Sequence, residues 1–326
     1  MPPVERKIVP LEFEKPLAML AQQIEALEKQ LAESQSPDLD VDLQRLHEQY
    51  DVLRRSLYSN LRPFDHLALA RHEQRPYTKD YFQRWDPSWI ELHGDRKGAD
   101  DPAMVGGFVR LSDDLKVLAV GIQKGRTLRE RQACNFGCPQ PEGYRKALRL
   151  FQHADKFGMP IVTLIDTPGA YPGMTAEEHN QSQAIALNLY EMAGLTVPVV
   201  AVITGEGGSG GALAIALANR VLMLEHSVYS VISPEGCASI LWRSSDKAAD
   251  ACTAMKITAR EIKELGVADE VIGEPLGGAH HDYDAAATTL KQALIRHLRD
   301  LQRMTPFQLR EDRQNKYRKL GAFVES

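Results

Sequence analysis

The chain has 326 residues, 25% of them charged and 43% hydrophobic, with a formal net charge of −5. That length holds one large domain with extensions, or two domains, and the mild acidity gives no basic excess to favour nucleic acid or an anionic membrane. Four cysteines, Cys134, Cys138, Cys237 and Cys252, are too sparse for a disulfide framework, and Cys134-x₃-Cys138 has no second close pair, so no metal is expected in this chain.

No apolar run approaches the length of a membrane span. Met1 to Pro10 has neither a signal-peptide core nor an Arg/Ser-rich leader, which makes a cytoplasmic location the expectation. Two amphipathic helices open the chain. Leu17, Leu20, Ile24, Leu27 and Leu31 follow heptad spacing, and after a Ser36-Pro37-Asp38 break the rhythm resumes at Leu39, Leu43, Leu46, Tyr50, Leu53 and Leu57. An antiparallel hairpin over residues 1–60 is expected, too short to stand alone in water and therefore packed on its own domain or on a partner.

From Leu67 to Arg96 the sequence is aromatic and basic. His72, Arg75 and Tyr77 suit an anionic ligand, and they suit a connector with satisfied charges equally well. Met104 to Leu111 and Lys116 to Gln123, split by Ser112-Asp113-Asp114, read as a β-hairpin. Lys124-Gly125-Arg126 at its end is a basic, flexible tip for a phosphate, or else a solvated turn.

Glu142 to Phe157 is a helix with Leu148, Leu150, Phe151 and Ala154 on its apolar side, stopped by Gly158 and Pro160. A buried strand from Ile161 to Ile165 runs into a glycine-proline loop, Asp166 to Gly173, followed by a helix from about Ala176 to Met192. The same unit then recurs as a strand from Val197 to Ile203, a glycine loop, and an Ala-rich helix from Leu213 to Leu217. If the two strands are neighbours, their loops face one crevice. Asp166-Thr167-Pro168-Gly169 mimics the magnesium turn of GTPases, but the chain has no Gly-Lys dipeptide and hence no P-loop.

The second glycine loop satisfies three patterns. Gly205-x-Gly207-x-x-Gly210, with Glu225 twenty residues on, is a dinucleotide fingerprint. Gly207-x-Ser209-x-Gly211, with Asp269 and His280 following, has serine-hydrolase order. In the third, Gly210 and Gly211 offer main-chain N–H groups to an oxyanion and no side chain is needed. A tight turn without chemistry is the fourth possibility.

Beyond it, Val221 to Ile232 gives further strands, Ser233-Pro234-Glu235-Gly236 opens a helix through Trp242, and Thr258 with Glu261 forms a capping box for a helix to Leu265. Val271-Ile272 is a short strand, Pro275 to His281 a third glycine-rich loop, and Asp282 to Arg303 a helix with Leu290, Leu294, Leu298 and Leu301 on one face. Residues 304–326 read as a polar tail.

Eight blocks carry a resemblance: RPYTKDY at 75–81, GDR at 94–96, GIQKGR at 121–126, PEGYRKALRL at 141–150, IDTPGAYPG at 165–173, GEGGSGGALA at 205–214, SPEGCASILW at 233–242 and PLGGAH at 275–280. In that order they resemble the α-subunit family of the bacterial and plastid acetyl-CoA carboxylase carboxyltransferases. The resemblance implies an α/β crotonase-like fold, a ββα superhelix over residues 61–303. It also implies transfer of a carboxyl group from carboxybiotin to acetyl-CoA, giving malonyl-CoA in the first committed step of fatty acid biosynthesis. On this view Gly210 and Gly211, with Gly207 and Gly208, form the hole for biotin's ureido oxygen. Gly169, Ala170, Tyr171, Gly173, Lys124 and Arg126 then line the substrate side.

The implied partners are a β subunit carrying a zinc ribbon (together α₂β₂), the biotin carboxyl carrier protein and biotin carboxylase, in an ATP-dependent complex. A serine hydrolase built on Ser209 and an NAD(P)-binding oxidoreductase built on residues 205–210 remain as alternatives.

Overall fold

The computed structural model describes residues 8–34 and 37–321; Ser36 of the expected interhelix break and the last five residues lie outside them. Among the described residues eight strands form one sheet: β1 Ile90–Glu91, β2 Met104–Ser112, β3 Leu115–Ile122, β4 Ile161–Thr167, β5 Val199–Gly208, β6 Arg220–Leu224, β7 Val228–Ser230 and β8 Glu270–Ile272. Their order is β1-β2-β3-β4-β5-β6-β8, with β7 paired to β5. The first three strands are antiparallel and everything from β3 onward is parallel.

The β-branched runs are strands buried on both faces, as parallel strands covered by helices must be. Val199, Ala201 and Ile203 join Ile161 and Ile165 in one core cluster, under Tyr144 and Phe151 of the helix Pro141–Lys156. Val200 and Val202 join Val162 and Leu164 in the other, against Tyr81, Phe82 and Trp85 and the helix Tyr283–Leu301. The period-2 alternation along each strand therefore feeds two cores at once.

Three expectations about elements need correction. The glycine stretch after Ile203 is not a loop, because β5 continues through Gly208. Its first half pairs with β6, at Val200 to Ile203, and its second half pairs with β7, at Glu206 to Gly208. The helix beyond is only Ser209–Leu213, since the chain turns again at Ala216 to enter β6. The helix expected over 176–192 is two helices, Met174–Glu178 and Gln181–Gly194, separated at Asn180, whose φ of 63° lies in the left-handed region.

The polar tail is the third. It holds a helix, Pro306–Arg318, opened by a Thr305/Gln308 capping box. Its Leu309 is buried, and its fully buried Arg313 donates to the carbonyls of Met192, Leu195 and Val197 and to Asn219 Oδ1.

The N-terminal helices Lys15–Ser34 and Pro37–Ser59 pack on each other, with Leu17 and Ile24 buried, and the second is tied to the main body by Arg54, which donates to the Leu276 carbonyl at 2.5 Å. No described helix is long and apolar enough to cross a membrane.

The segment 67–96 is a connector with satisfied charges. Arg75 is wholly buried: Nη1 and Nη2 bond both oxygens of buried Glu274 at 2.9 and 2.5 Å, and Nε donates to Thr204 O in β5 at 2.6 Å. Glu274 also accepts from the His226 and Ala279 N–H groups. Burial alone pushes the Glu274 carboxyl up, but the Arg75 guanidinium, with His226, outweighs it and holds the pKa at about 2. The folded value lies below the ordinary 4.5, so the contribution is complete above that pH and is lost as pH falls toward 2.

Glu274→Gln leaves a buried guanidinium uncompensated and should cost about 3–5 kcal/mol at neutral pH. The pH-dependent loss of stability between about 4.5 and 2 should also flatten. Urea unfolding at stepped pH checks both; a wild-type midpoint at pH 7 would show that the pair is not an anchor.

Candidate functional site

β4 and β5 are parallel neighbours, in register from Ile161↔Val199 to Ile165↔Ile203 and paired again, after a register shift, at Thr167↔Gly207, so the chain leaving each strand meets the other at their C-terminal ends. The approach is backbone against backbone. A Cβ on Gly205 would fall 2.5 Å from Asp166 Oδ1, one on Gly208 would run into the Pro168 carbonyl, and one on Gly211 into the Gly169–Ala170 peptide. Only glycine permits this contact. From the other side the Tyr144 hydroxyl donates to Gly211 O at 3.2 Å.

The carboxylates at this junction are all paired. Asp166 Oδ1 accepts from the Glu206 N–H at 2.9 Å and meets Lys124 Nζ at 2.5 Å. The Glu206 carboxylate, 8% exposed, takes Arg71 Nη2 at 2.6 Å and Nε at 3.1 Å, and Arg71 reaches on to Glu235 at 2.6 Å. Arg71 and Tyr144 escaped the sequence reading. The usable signal for Arg71 was Glu206 itself, since a carboxylate inside a buried strand must have a cationic partner.

The basic tip at 124–126 is built into the fold, and it is not the flexible turn expected. Lys124 reaches Asp166, and Gly125, at φ 87°, packs on the Glu130–Arg131 backbone. Arg126 bonds Asp80 and the carbonyls of Glu73 and Arg75, and lies 4.0 Å over the Tyr77 ring. The structure thus brings Lys124 to the glycine junction and commits Arg126 to the connector. Tyr171 forms the outer part of the β4 loop: its N–H donates to Pro139 O, its carbonyl accepts from Gln181, and its ring covers Gly173.

The sequence treats Gly210 and Gly211 alike, whereas the structure separates them. Gly211 is buried against the β4 loop. Gly210 is half-buried, and a Cβ there would find nothing closer than Ile185 at 3.8 Å. It opens on a cavity of about 400 Å³ lined by Ser209, Leu213, Tyr229, Val231 and Ile262, among others. Ser209, exposed and at φ 51°, turns the chain from strand to helix. The N–H groups of the first helical turn that follows have no intrahelical acceptor.

Neither alternative assembles. Asp269 accepts from the Val221 N–H at 2.6 Å and from Lys316, at the start of β6, whereas Ser209 follows the opposite end of parallel β5. The His280 ring stacks on His72 at 3.9 Å, and neither of its nitrogens has a partner among the described residues. For the dinucleotide pattern, Gly205, Gly207 and Gly208 lie within β5, and Glu225 accepts from the Glu274 N–H.

Residues 10–321 match the family described as acetyl co-enzyme A carboxylase carboxyltransferase-like. The carboxyl transferase α subunit of Synechococcus elongatus is 53% identical over 99% of this chain and 98% of its own length. That of Geobacter metallireducens is 51% identical over 97% and 98%. This chain belongs to the acetyl-CoA carboxylase carboxyltransferase α-subunit family.

It is a transferase subunit, and the hydrolase and oxidoreductase alternatives are set aside. Two solved structures share its fold. Transcarboxylase 12S aligns with a TM-score of 0.57 at 21% identity over 70% of this chain, which spans 42% of that longer one. A Pseudomonas malonate decarboxylase heterotetramer aligns at 0.55 and 18% identity, over 68% of this chain and 87% of that one. The crotonase-like α/β expectation stands.

Because Gly211 is pressed on backbone that cannot yield, Gly211→Val should lower the melting temperature and the activity together. A Gly211→Val protein that melts normally would mean that the β4 loop gives way.

Proposed function

We propose that this chain is the biotin-side half of a carboxyltransferase moving a carboxyl group from carboxybiotin on a carrier protein to acetyl-CoA, giving malonyl-CoA. The observation that carries it is the pairing of every carboxylate at the glycine junction, Asp166 with Lys124 and Glu206 with Arg71. Among the described residues both carboxylates of the junction are paired, which suits a reaction whose proton acceptor arrives with the substrate. Carboxybiotin supplies both the carboxyl group and, once it is lost, a ureido anion basic enough to take the acetyl proton.

What remains for this chain is to hold and orient. Gly210 lines a cavity of about 400 Å³ with no Cβ to keep a flat ring at a distance, and its main-chain N–H is the donor assigned to the ureido oxygen. Gly207, Gly208 and Gly211 fix that backbone against the β4 loop. Gly169, Ala170, Tyr171 and Gly173 belong to the β4 loop, the wall on which Gly211 packs, and Lys124 pairs with Asp166 at its base. Arg126 supports this wall only indirectly, through the connector.

The second oxyanion, on the thioester, falls to a β subunit with a zinc ribbon, in an α₂β₂ assembly working in the cytoplasm with the carrier protein and biotin carboxylase. Exposed apolar side chains support a partner here: Leu213 and Val231 at the cavity rim, and Ile240 and Leu241 on the helix Pro234–Trp242.

Two outcomes test the proposal. The purified chain alone should form no malonyl-CoA from carboxybiotin and acetyl-CoA, and should gain activity when the β subunit is added. Gly210→Val has room to fold, so it should keep the melting temperature and the partner while losing about a hundredfold or more in transfer rate. An unchanged rate in Gly210→Val would place the oxyanion hole elsewhere, and malonyl-CoA made by the single chain would refute the division of the site.

A further inference from the structure

Glu14, His280 and His281 come together from opposite ends of the chain. Glu14 closes the short 3-10 turn Glu12–Glu14 ahead of the first long helix, and the two histidines sit in the loop after β8. One carboxylate oxygen and one nitrogen from each imidazole all lie within 4.8 Å of one another. Glu14 and His280 are each 5% exposed.

The nitrogens are the telling feature. Neither Nδ1 nor Nε2 of His280, nor Nε2 of His281, has a hydrogen-bond partner among the described residues, and all three are buried. A buried polar group of this kind destabilises the fold if nothing satisfies it. The neighbouring His72 does not share the problem, since its Nε2 faces Val9 O at 2.9 Å and its Nδ1 accepts from the Gln74 N–H.

From this geometry we infer that Glu14, His280 and His281 bind a divalent transition-metal ion of the zinc class. Two imidazoles and one carboxylate are a donor set that zinc takes readily, and they leave a fourth position for water. Ligands of a tetrahedral zinc stand about 3.3 Å apart, so the side chains need close only by rotamer-scale shifts.

Burial holds both imidazoles well below their ordinary pKa, which keeps their lone pairs available without displacing a proton. The carboxylate is already oriented: Tyr58 Oη donates to one oxygen and the Leu11 N–H to the other at 2.7 Å. Outer contacts of this kind fix a ligand in a metal site. A cavity of about 620 Å³ reaches Glu14, Tyr58 and His281 and offers the ion a route. Arg54, which also lines it, is turned to the Leu276 carbonyl. The ion would staple the N-terminal hairpin to the third glycine loop. Composition could not reveal this site, because its donors meet only in the fold.

The test is a Co²⁺ titration of the full-length chain after chelator treatment. One equivalent should bind with the visible absorption of a four-coordinate site, Zn²⁺ should bleach it, and Zn²⁺ should raise the melting temperature. Glu14→Gln and His281→Ala, with circular dichroism confirming their fold, should weaken binding beyond the roughly tenfold to hundredfold seen for loss of an outer contact. They should also abolish the thermal shift. His281 is only half-buried, so at least that variant keeps the fold. Absence of saturable binding at micromolar ion, or binding unchanged in both variants with the ion held elsewhere, would overturn the inference.

Discussion

Two stretches of backbone touch where β4 and β5 end, because Gly208 and Gly211 lack Cβ atoms, and Gly205 leaves room beside them for the Asp166 carboxylate. Most of what is distinctive about this chain follows from that contact. With no side chains to hold the strands apart, β5 continues past its pairing with β6 and takes a second partner, β7. The same closeness brings the Glu206 N–H onto Asp166, which in turn places Lys124. Glycine in a strand interior is normally a weakness, because it loses more entropy and packs nothing. Here the close approach is the compensation, and the result is a closely packed edge beyond which Gly210 faces open space.

Electrostatics at this edge point to one kind of chemistry. Burying Asp166 and Glu206 is costly unless each has a cation, and a buried ion pair adds little net stability over an apolar pair. Such pairs fix geometry instead. Lys124 and Arg71 occupy both carboxylates, and the proposed function accordingly assigns the acting role to main-chain dipoles. Preorganised dipoles suit a charge that develops in the reaction, because they need no reorganisation when it appears.

What the sequence reveals and conceals divides by distance along the chain. The buried strands, the hairpin of β2 and β3, the helix Pro141–Lys156 and the Thr258/Glu261 cap are local patterns and stand where the sequence places them. The glycine stretch misleads for a physical reason: β propensity says loop, and pairing of Glu206 to Gly208 with β7, and of Gly207 with Thr167 in β4, makes it extended. The helix at 306–318 hides behind its polarity, although Thr305-Pro306 and Gln308 spell its start.

The site is half legible. Its glycines announce a close approach, but whether a given glycine meets backbone, as Gly211 does, or open space, as Gly210 does, is decided by the neighbouring loop. Arg71 and Arg75 find their carboxylates more than a hundred residues away, where no spacing rule applies.

Arg75 then links the site to parts of the molecule that seem remote from it. One guanidinium bonds Thr204 O inside β5 and both oxygens of Glu274, and Glu274 holds the Ala279 N–H in the third glycine loop. That loop accepts Arg54 at the Leu276 carbonyl and Tyr58 at the Gly277 carbonyl, both from the second helix of the N-terminal hairpin. Because the guanidinium is planar and its fork rigid, it cannot follow one partner without releasing another. The register of the hairpin, the position of the loop and the end of the strand that carries Gly210 are therefore set together. An N-terminal hairpin whose described residues stay clear of the glycine junction is still part of the frame that holds it.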